Sequence, residues 1–455
     1  MSGGECSSGK WDGSMKHDHL DHIHQVFESI SPMWPGVRPH WITSMKHRAF
    51  EAFCTQGLPT TKDEAWRYTN LDALKQRLLR FSPPIADVEC ARRIVDENSL
   101  GEASHRLVFV NGVYSPELSA VGELPYGVFV GNLIHGLQHA PEQMRSLFDR
   151  ESWSDGLVAL NSAFLRDGFV VVLPPDTKLD RPLHALFLSG DEDLAVQPAN
   201  VVISGARSSC SIIEQFVGLA DQSYLTNSVT HVVAGEDAEV QHYRVQQESP
   251  NAVHIGTVDV TQHEVSRFSS YAFSFGGAVS RSSVGVRLAA SRTCTTLDGL
   301  YVAGGKQHMD HYTMMDHAYP HCSSRETYRG VLDGSARGVF NGRVIVRVDA
   351  QKTDADQSNH NLLLSRNAEV DTKPQLEIYA DDVRCTHGTT VGELDEEQLF
   401  YLRARGIDEV TGRALLTFAF ARDIVDRVSI VALRERLERV LLSRMPEGIR
   451  IRSGI

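Results

Sequence analysis

Val201-Val202-Ile203-Ser204, then Gly205-Ala206-Arg207, then Ser211-Ile212-Ile213-Glu214-Gln215-Phe216: a β-branched run, a small polar turn, and a second apolar run. The same unit recurs downstream. Ser228 to Val233 and Glu239 to Val245 flank the turn Ala234-Gly235-Glu236-Asp237, and further runs follow at Val258 to Val260, Arg267 to Phe275, Val284 to Leu288, Val339 to Val348 and Gln375 to Ala380. From Phe169 to Gly392 no helix-length pattern interrupts them. Short strands with polar turns fit a sandwich or a stacked-coil solenoid. Pairs of strand–turn units recur at a spacing of roughly thirty residues, which favours the solenoid, each coil burying its apolar side against the next.

On either side the period changes to a helical one. Trp41, Met45, Ala49, Phe50 and Phe53 lie near helical spacing in the segment Trp41 to Cys54, with Gly57 as a stop. The turn chemistry of Pro59-Thr60-Thr61-Lys62-Asp63-Glu64-Ala65-Trp66-Arg67-Tyr68-Thr69 leads into a second short helix, Leu71 to Leu79. Leu107 to Val110 and Val113-Tyr114 flank Asn111-Gly112, the dipeptide suited to a tight hairpin. Beyond Gly392, Leu394-Asp395-Glu396-Glu397 opens a helix that runs through Arg403 and Arg405 and stops at Gly406. A helix from Asp408 to Asp426 carries Leu415, Phe418, Ala419 and Val425 on one face, and another spans Ile430 to Leu442. The expected plan is a polar His-rich extension (1–40), an N-terminal helical region with a small hairpin (41–154), a mainly β core (155–392) and a C-terminal helical domain (393–455).

The chain has 455 residues, 42% of them apolar, enough for a large core. Its 45 Lys and Arg against 58 Asp and Glu give a net charge of −13 without a basic block. That excludes an electrostatic footprint for nucleic acid and makes an anionic membrane surface an unfavourable partner. No apolar run is long enough to span a bilayer, and the first thirty residues mix Lys, Asp and His where a signal peptide carries an apolar stretch. A soluble cytoplasmic protein is expected. The seven cysteines form no CxxC pair, so reduced thiols are expected rather than a disulfide framework or a structural zinc site.

Motif by motif, catalysis within the chain finds little support. Gly4-Glu5-Cys6-Ser7-Ser8-Gly9-Lys10 matches the start of a phosphate-binding loop, but Trp11 stands where Ser or Thr would hold magnesium. His17, His19, His22 and His24 form a His-rich tract of the kind solvated termini carry. His308, Asp310, His311, Asp316, His317, His321 and Cys322 are potential metal ligands without the spacing of a known site. Asp381-Asp382 are adjacent, so a strand would point them apart. GxSxG and HExxH elements are missing from the sequence. In Cys385-Thr386-His387-Gly388, strand alternation puts a thiol and an imidazole on one side. Two ligands make half a site, and the rest would come from elsewhere in the chain or from another subunit.

Three further stretches carry a family resemblance. Ala336-Arg337-Gly338-Val339-Phe340-Asn341-Gly342-Arg343, Ala350 to Ala355 with Asn361 to Ser365, and Thr372-Lys373-Pro374-Gln375-Leu376-Glu377-Ile378-Tyr379-Ala380-Asp381-Asp382-Val383 ending in Cys385-Thr386-His387-Gly388 resemble the SufB/SufD family of iron–sulfur cluster assembly scaffolds. Ala159 to Phe164 with Asp167-Gly168 resembles the opening of that family's core. Lys62 to Thr69 and Leu415 to Arg422 look like the SufD branch rather than the SufB branch.

The resemblance implies a right-handed parallel β-helix flanked by helical domains, a heterodimer with SufB, and a SufC ATPase docked on the C-terminal helices, where Leu415, Phe418, Arg422 and Arg427 are the candidate contacts. It implies a scaffold rather than an enzyme, assisting iron acquisition and nascent cluster formation, with a transient iron–sulfur cluster shared with SufB and reduced flavin as a possible guest of the complex. His387 and Cys385 are then candidate cluster or iron ligands at the SufB interface, and the isolated chain is expected to form a homodimer. The alternatives are a SufB-like sulfur-accepting scaffold and, remotely, a β-helix carbohydrate-active enzyme.

Overall fold

In the computed structural model, which describes residues 15–30, 40–81, 88–148, 155–219 and 221–444, the strand–turn period closes into a parallel β-solenoid. The chain enters through α1 (Met15–Ile30), α2 (His40–Gln56), the one-turn α3 (Asp72–Lys75) and α4 (Val88–Asn98). The hairpin β1 (His105–Val110) and β2 (Val113–Tyr114) is followed by β3 (Phe129–Asn132), α5 (Leu133–His139), α6 (Pro141–Phe148) and α7 (Gly156–Ala163). The coils begin with β4 (Phe169–Leu173), β5 (Leu183–Ser189), β6 (Ala195–Val196), β7 (Ala199–Ser204), β8 (Ser209–Gly218) and β9 (Leu225–Ala234). They continue with β10 (Glu239–Gln247), β11 (Val253–Gln262), β12 (Arg267–Ser274), β13 (Val279–Leu288), β14 (Cys294–Ala303) and β15 (His308–His317). The last are β16 (Ser323–Leu332), β17 (Arg337–Val346), β18 (Asp354–Leu363), β19 (Glu369–Ile378) and β20 (Arg384–Gly392), after which come α8 (Glu396–Arg403), α9 (Glu409–Val425) and α10 (Val431–Arg444).

Successive coil strands alternate between two sheets. One has the order β2-β1-β5-β8-β10-β12-β14-β16-β18-β20, the other β19-β17-β15-β13-β11-β9-β7-β4-β3. Pairing is parallel within the coils and antiparallel for β1 with β2 and β3 with β4. The register Cys294↔Ser323↔Asp354↔Arg384 advances by 29, 31 and 30 residues, which is the period read from the sequence. One corner of the coil repeats a left-handed residue: Arg207, Asp237, Val265, Arg292, His321 and Lys352 all have φ between 52° and 61°. Each sends its backbone N–H to a carbonyl of the next coil, as in Arg207 to Glu236 and Lys352 to Asp382, both at 2.7 Å. A single αL residue thus turns the chain and joins the coils.

Inside the early coils identical side chains stack in register. Phe109, Phe187 and Phe216 occupy equivalent positions of β1, β5 and β8, with ring centroids 4.8 Å apart at each step. The hairpin expected in the helical region is therefore part of the first coil, because Phe109 completes that aromatic ladder. Its turn is as expected: Asn111 (φ 51°) and Gly112 (φ 77°) are both left-handed, the type I′ requirement.

The helix expected over Leu71 to Leu79 stops after one turn, because Arg77 swings onto the coil and donates to Asp193 and Ser223. The expected polar extension contains α1, whose Ile23 and Phe27 are buried. Phe27 stacks on Phe50 of α2 at 3.9 Å. The His-rich tract is partly absorbed by this packing: His22 bonds the carbonyl of Leu79 at 3.0 Å and His24 lies against Phe50. The loop-like Gly4–Lys10 stretch and the side chains of His17 and His19 lie outside the described residues.

At the other end, Asp395 accepts from the N–H groups of Glu397 and Gln398 to start α8, and Asp408 accepts from Thr411 to start α9. Gly406 separates them at φ 84°. Leu433, Leu437 and Leu441 of α10 join Ala421, Ile424 and Val425 of α9 in one cluster with Ile213, Tyr243, Phe273 and Leu300, from the outer face of the first sheet. None of the described helices is long and apolar enough to cross a membrane.

Candidate functional site

β20 ends one sheet and β19 the other, and among the described residues no further coil is stacked on them. The consequence is visible in burial: β19 is half-buried almost throughout and β20 is exposed at nearly every position. Ile378, Tyr379 and Val391 are exposed apolar side chains at this open end. Cys385 and His387 lie here, in register with Ala355 and Gln357 of β18. Ala355 and Gln357 are both buried, so strand alternation directs Cys385 and His387 toward the coil axis. The sequence-predicted pair therefore does share one face, about 6.6 Å apart along the strand. Burial pushes the Cys385 thiol up, partly opposed by a hydrogen bond with the Ala355 backbone. It is a thiol at neutral pH, and a soft metal would have to displace its proton.

Beneath His387 lies a feature the sequence did not reveal. In register through three coils stand Glu326, Gln357 and His387. Glu326 is 1% exposed, and desolvation pushes its carboxyl up to about 7, opposed only in part by its polar neighbours Thr313 and Gln357. Periodicity assigns such residues to the inside but carries no signal that the inside is polar. A second internal cluster, deeper in the stack, joins Glu214 to Arg244 at 2.8 Å and to Thr230 at 2.5 Å. Although burial acts on it most strongly, the Arg244 and His242 partners leave the Glu214 carboxyl well below the usual range.

The His/Asp/Cys stretch from His308 to Cys322 is dispersed by the coil. His308 bonds the Thr69 hydroxyl at 2.9 Å, and Asp310 pairs with buried Arg281. His311 points inside and stacks on Tyr301 at 5.0 Å. Arg347 donates to both Asp316 oxygens at 2.7 and 2.8 Å, and His317 bonds Ser324 at 2.9 Å. Cys322 accepts from the Thr293 hydroxyl at 3.1 Å, and His321 is one of the left-handed corner residues. Burial pushes His311 and His317 down to about 4. Among the described residues no three His, Cys, Asp or Glu side chains converge as a metal site.

The C-terminal candidates divide. Leu415 and Phe418 of α9 are half-buried and Ala419 is exposed, whereas the face turned to the solenoid is Ala414, Thr417, Ala421, Ile424 and Val425. The expected stripe is rotated because small residues let the helix sit close to the sheet, which side-chain size alone does not reveal. Arg422 stays on the surface, bonded to Asp426 at 3.2 Å. Arg427 is exposed, as expected, and is also a clamp: it donates at 2.7 Å to Asp298 of β14, whose side chain is 3% exposed, and lies 3.1 Å from Asp423. Missed by sequence reasoning were Phe400 (72% exposed), Tyr401 (56%) and Val410 (52%). Tyr401 lines a groove of about 420 Å³ together with Asp395, Glu397, Gln398, Leu402 and Leu416.

Comparison with known proteins gives this geometry a family. A family model described as the SUF system FeS cluster assembly SufBD core domain matches residues 187–420, and one described as the SufBD protein N-terminal region matches residues 21–185. An iron–sulfur cluster assembly SufBD family protein of Synechocystis is 31% identical over 90% of this chain and 93% of its own length. The iron–sulfur cluster assembly protein SufD of Escherichia coli is 31% identical over 87% of this chain and 91% of its own. SufD of Bacillus subtilis is 23% identical over 89% and 94%. With two family models spanning nearly the whole chain and relatives of this similarity aligned end to end, the chain belongs to the SufBD family of iron–sulfur cluster assembly proteins.

Proposed function

We propose that this chain acts as a SufD-type scaffold: it pairs with SufB through its open terminal coil, docks the SufC ATPase on its C-terminal helices, and contributes His387 and Cys385 to a site where iron is received and a nascent cluster forms. The observation that carries this reading is the incomplete ligand pair on an uncapped coil. Two ligands on an exposed strand need a partner to complete a coordination shell, and an uncapped solenoid end needs a partner to cover its strand edges and apolar side chains. Both needs fall at the same place. The same surface would support a homodimer when the chain is alone. No disulfide joins any of its six described cysteines, in keeping with action in the reducing cytoplasm.

For SufC the docking face is set on α8 and the start of α9. Phe400, Tyr401 and Val410 provide exposed apolar anchors on α8 and the start of α9, Tyr401 lining the groove, with the half-buried Leu415 and Phe418 and the surface Arg422 extending the face along α9. No hydrolytic step is assigned to the chain itself; its part is to hold partners and ligands while the ATPase moves them.

The test is anaerobic reconstitution with SufB and SufC. His387→Ala should leave the complex and its ATPase intact and abolish cluster absorption. Cluster formation at the normal rate in an intact His387→Ala complex would remove this residue from the site. Failure of wild-type chain to associate with SufB would sink the scaffold reading altogether.

A further inference from the structure

The strand holding His387 lies directly over Gln357, and Gln357 over Glu326, all three on the inward row of the same sheet. Gln357 and Glu326 are each 1% exposed. The Gln357 amide donates through Nε2 to Glu326 Oε1 at 3.2 Å. Its other end, the carbonyl oxygen Oε1, is buried without a partner, as is Glu326 Oε2. A buried amide oxygen left unbonded costs on the order of 1–3 kcal/mol, so its place in the stack calls for a donor. The amide is also held in place from across the coil. A Cβ built on Gly342 of the facing sheet would fall 2.1 Å from Gln357 Nε2 and 2.9 Å from its Oε1. The backbone there presses on the amide, and any larger residue would displace it.

We infer that Gln357, oriented by Glu326, positions His387: the Gln357 carbonyl oxygen accepts one ring N–H of His387, and the other ring nitrogen is left with its lone pair toward the open end. Neighbouring strands are about 4.8 Å apart, within reach of one imidazole–amide hydrogen bond between residues in register. A carboxylate or carboxyl oxygen behind the amide fixes which end of Gln357 faces outward. A metal-binding imidazole characteristically donates its second N–H to such an oxygen, which sets its tautomer and raises its basicity, and loss of the acceptor weakens the metal by about 10–100-fold. Gln357 and Glu326 are thus positioning residues for a ligand thirty residues further along the chain, one coil away from Gln357. The inference rests on the proposal that His387 is a ligand.

The test uses the full chain with cobalt(II) alone as probe, read by visible absorption under anaerobic conditions, together with imidazole nitrogen NMR of the metal-free protein. In the wild type His387 should show one fixed neutral tautomer rather than the averaged pair of an exposed ring; averaging overturns the inference without any variant. Gln357→Leu keeps the volume and removes the acceptor, and should weaken cobalt at least about tenfold. Gln357→Glu keeps an acceptor and should restore most of the affinity. If His387→Ala loses the cobalt spectrum while Gln357→Leu binds as wild type, His387 stands as a ligand and the positioning role falls. If His387→Ala itself binds as wild type, the ligand reading falls first. Equal weakening in Gln357→Leu and Gln357→Glu with a lowered melting temperature in both identifies packing alone and also overturns the inference.

Discussion

Replacing Glu326 by Gln should change how stability depends on pH, with little effect on shape. In the folded chain burial holds the Glu326 carboxyl at about 7 against an ordinary value of 4.5. The folded state therefore keeps a proton that the unfolded state releases. Stability falls as pH rises between those two values, because there the native state binds more protons than the unfolded one. The full shift of about 2.5 units corresponds to roughly 3 kcal/mol, of which about 2.5 kcal/mol is expressed between about pH 5 and pH 8. Buried histidines work in the opposite direction: His184, His311 and His317 are pushed down to about 4, so their contribution grows as pH rises toward 6.5. Taking the difference between wild type and Glu326→Gln cancels them. Urea unfolding in the presence of a chelator, at a series of pH values, supplies that difference. The variant should match the wild type near pH 5, within the cost of the substitution itself, and exceed it by about 2.5 kcal/mol more at pH 8. Parallel curves for the two proteins would refute the placement of a neutral buried carboxyl at this position.

Val265 is a β-branched residue at φ 61°, a conformation costing about 1–2 kcal/mol; Val265→Asn should raise the urea midpoint by the equivalent of about 1 kcal/mol, and an unchanged or lower midpoint would contradict the strain. Arg427→Glu should lower the melting temperature through loss of its bond to buried Asp298, a cost of about 1–3 kcal/mol when a buried acceptor loses its donor; unaltered melting would contradict the clamp. Phe400→Asp should reduce SufC affinity by at least about tenfold, a hot-spot loss of roughly 1.4 kcal/mol or more, while melting stays within a degree or so because the ring is 72% exposed. Retained affinity in Phe400→Asp and Tyr401→Asp would place the ATPase elsewhere. Hydrogen exchange should be fastest in β20 and slow progressively toward β8, since the last coil has a neighbour on one side only; uniform protection along the stack would count against an open end in the free chain.

The solenoid could be read from the sequence because its two periods are local. Alternation within each strand and the spacing of about thirty residues between strand pairs both survive without knowledge of contacts. The hairpin turn at Asn111-Gly112 and the stop at Gly406 were legible for the same reason, being requirements of single residues on φ. What the sequence concealed depends on distance across the fold. Gln357 and His387 become neighbours only through a coil of thirty residues, and a polar residue at an inward position reads as a broken pattern until its partner is known. The rotated face of α9 is of the same kind, since Ala414, Thr417 and Ala421 owe their burial to the close approach of a sheet. In α1, Ile23 and Phe27 are spaced i, i+4, but the surrounding Asp and His residues mask the short apolar face that meets Phe50.

On the proposed reading of Cys385 and His387, the distribution of coverings along the stack accounts for a ligand site at its end. α7 packs on one flank against the coils beginning at β9, α9 and α10 cover the outer face of β14 and β16, and the aromatic ladder through Phe109, Phe187 and Phe216 fills the first coils. Each inner coil therefore has neighbours above, below and outside, while the coil of β19 and β20 has one stacked neighbour. In a stack stabilised by nearest-neighbour terms the terminal coil is the one most improved by an added surface. A cluster site needs exchangeable positions, since ligands buried on every side could neither receive iron nor release a product. Placing Cys385 and His387 on the last strand, above a rigid inner row of Gln357 and Glu326, meets both conditions. The backbone and the inner row are held by the stack, and under the proposed function the remaining coordination positions would be completed, and later vacated, by a partner.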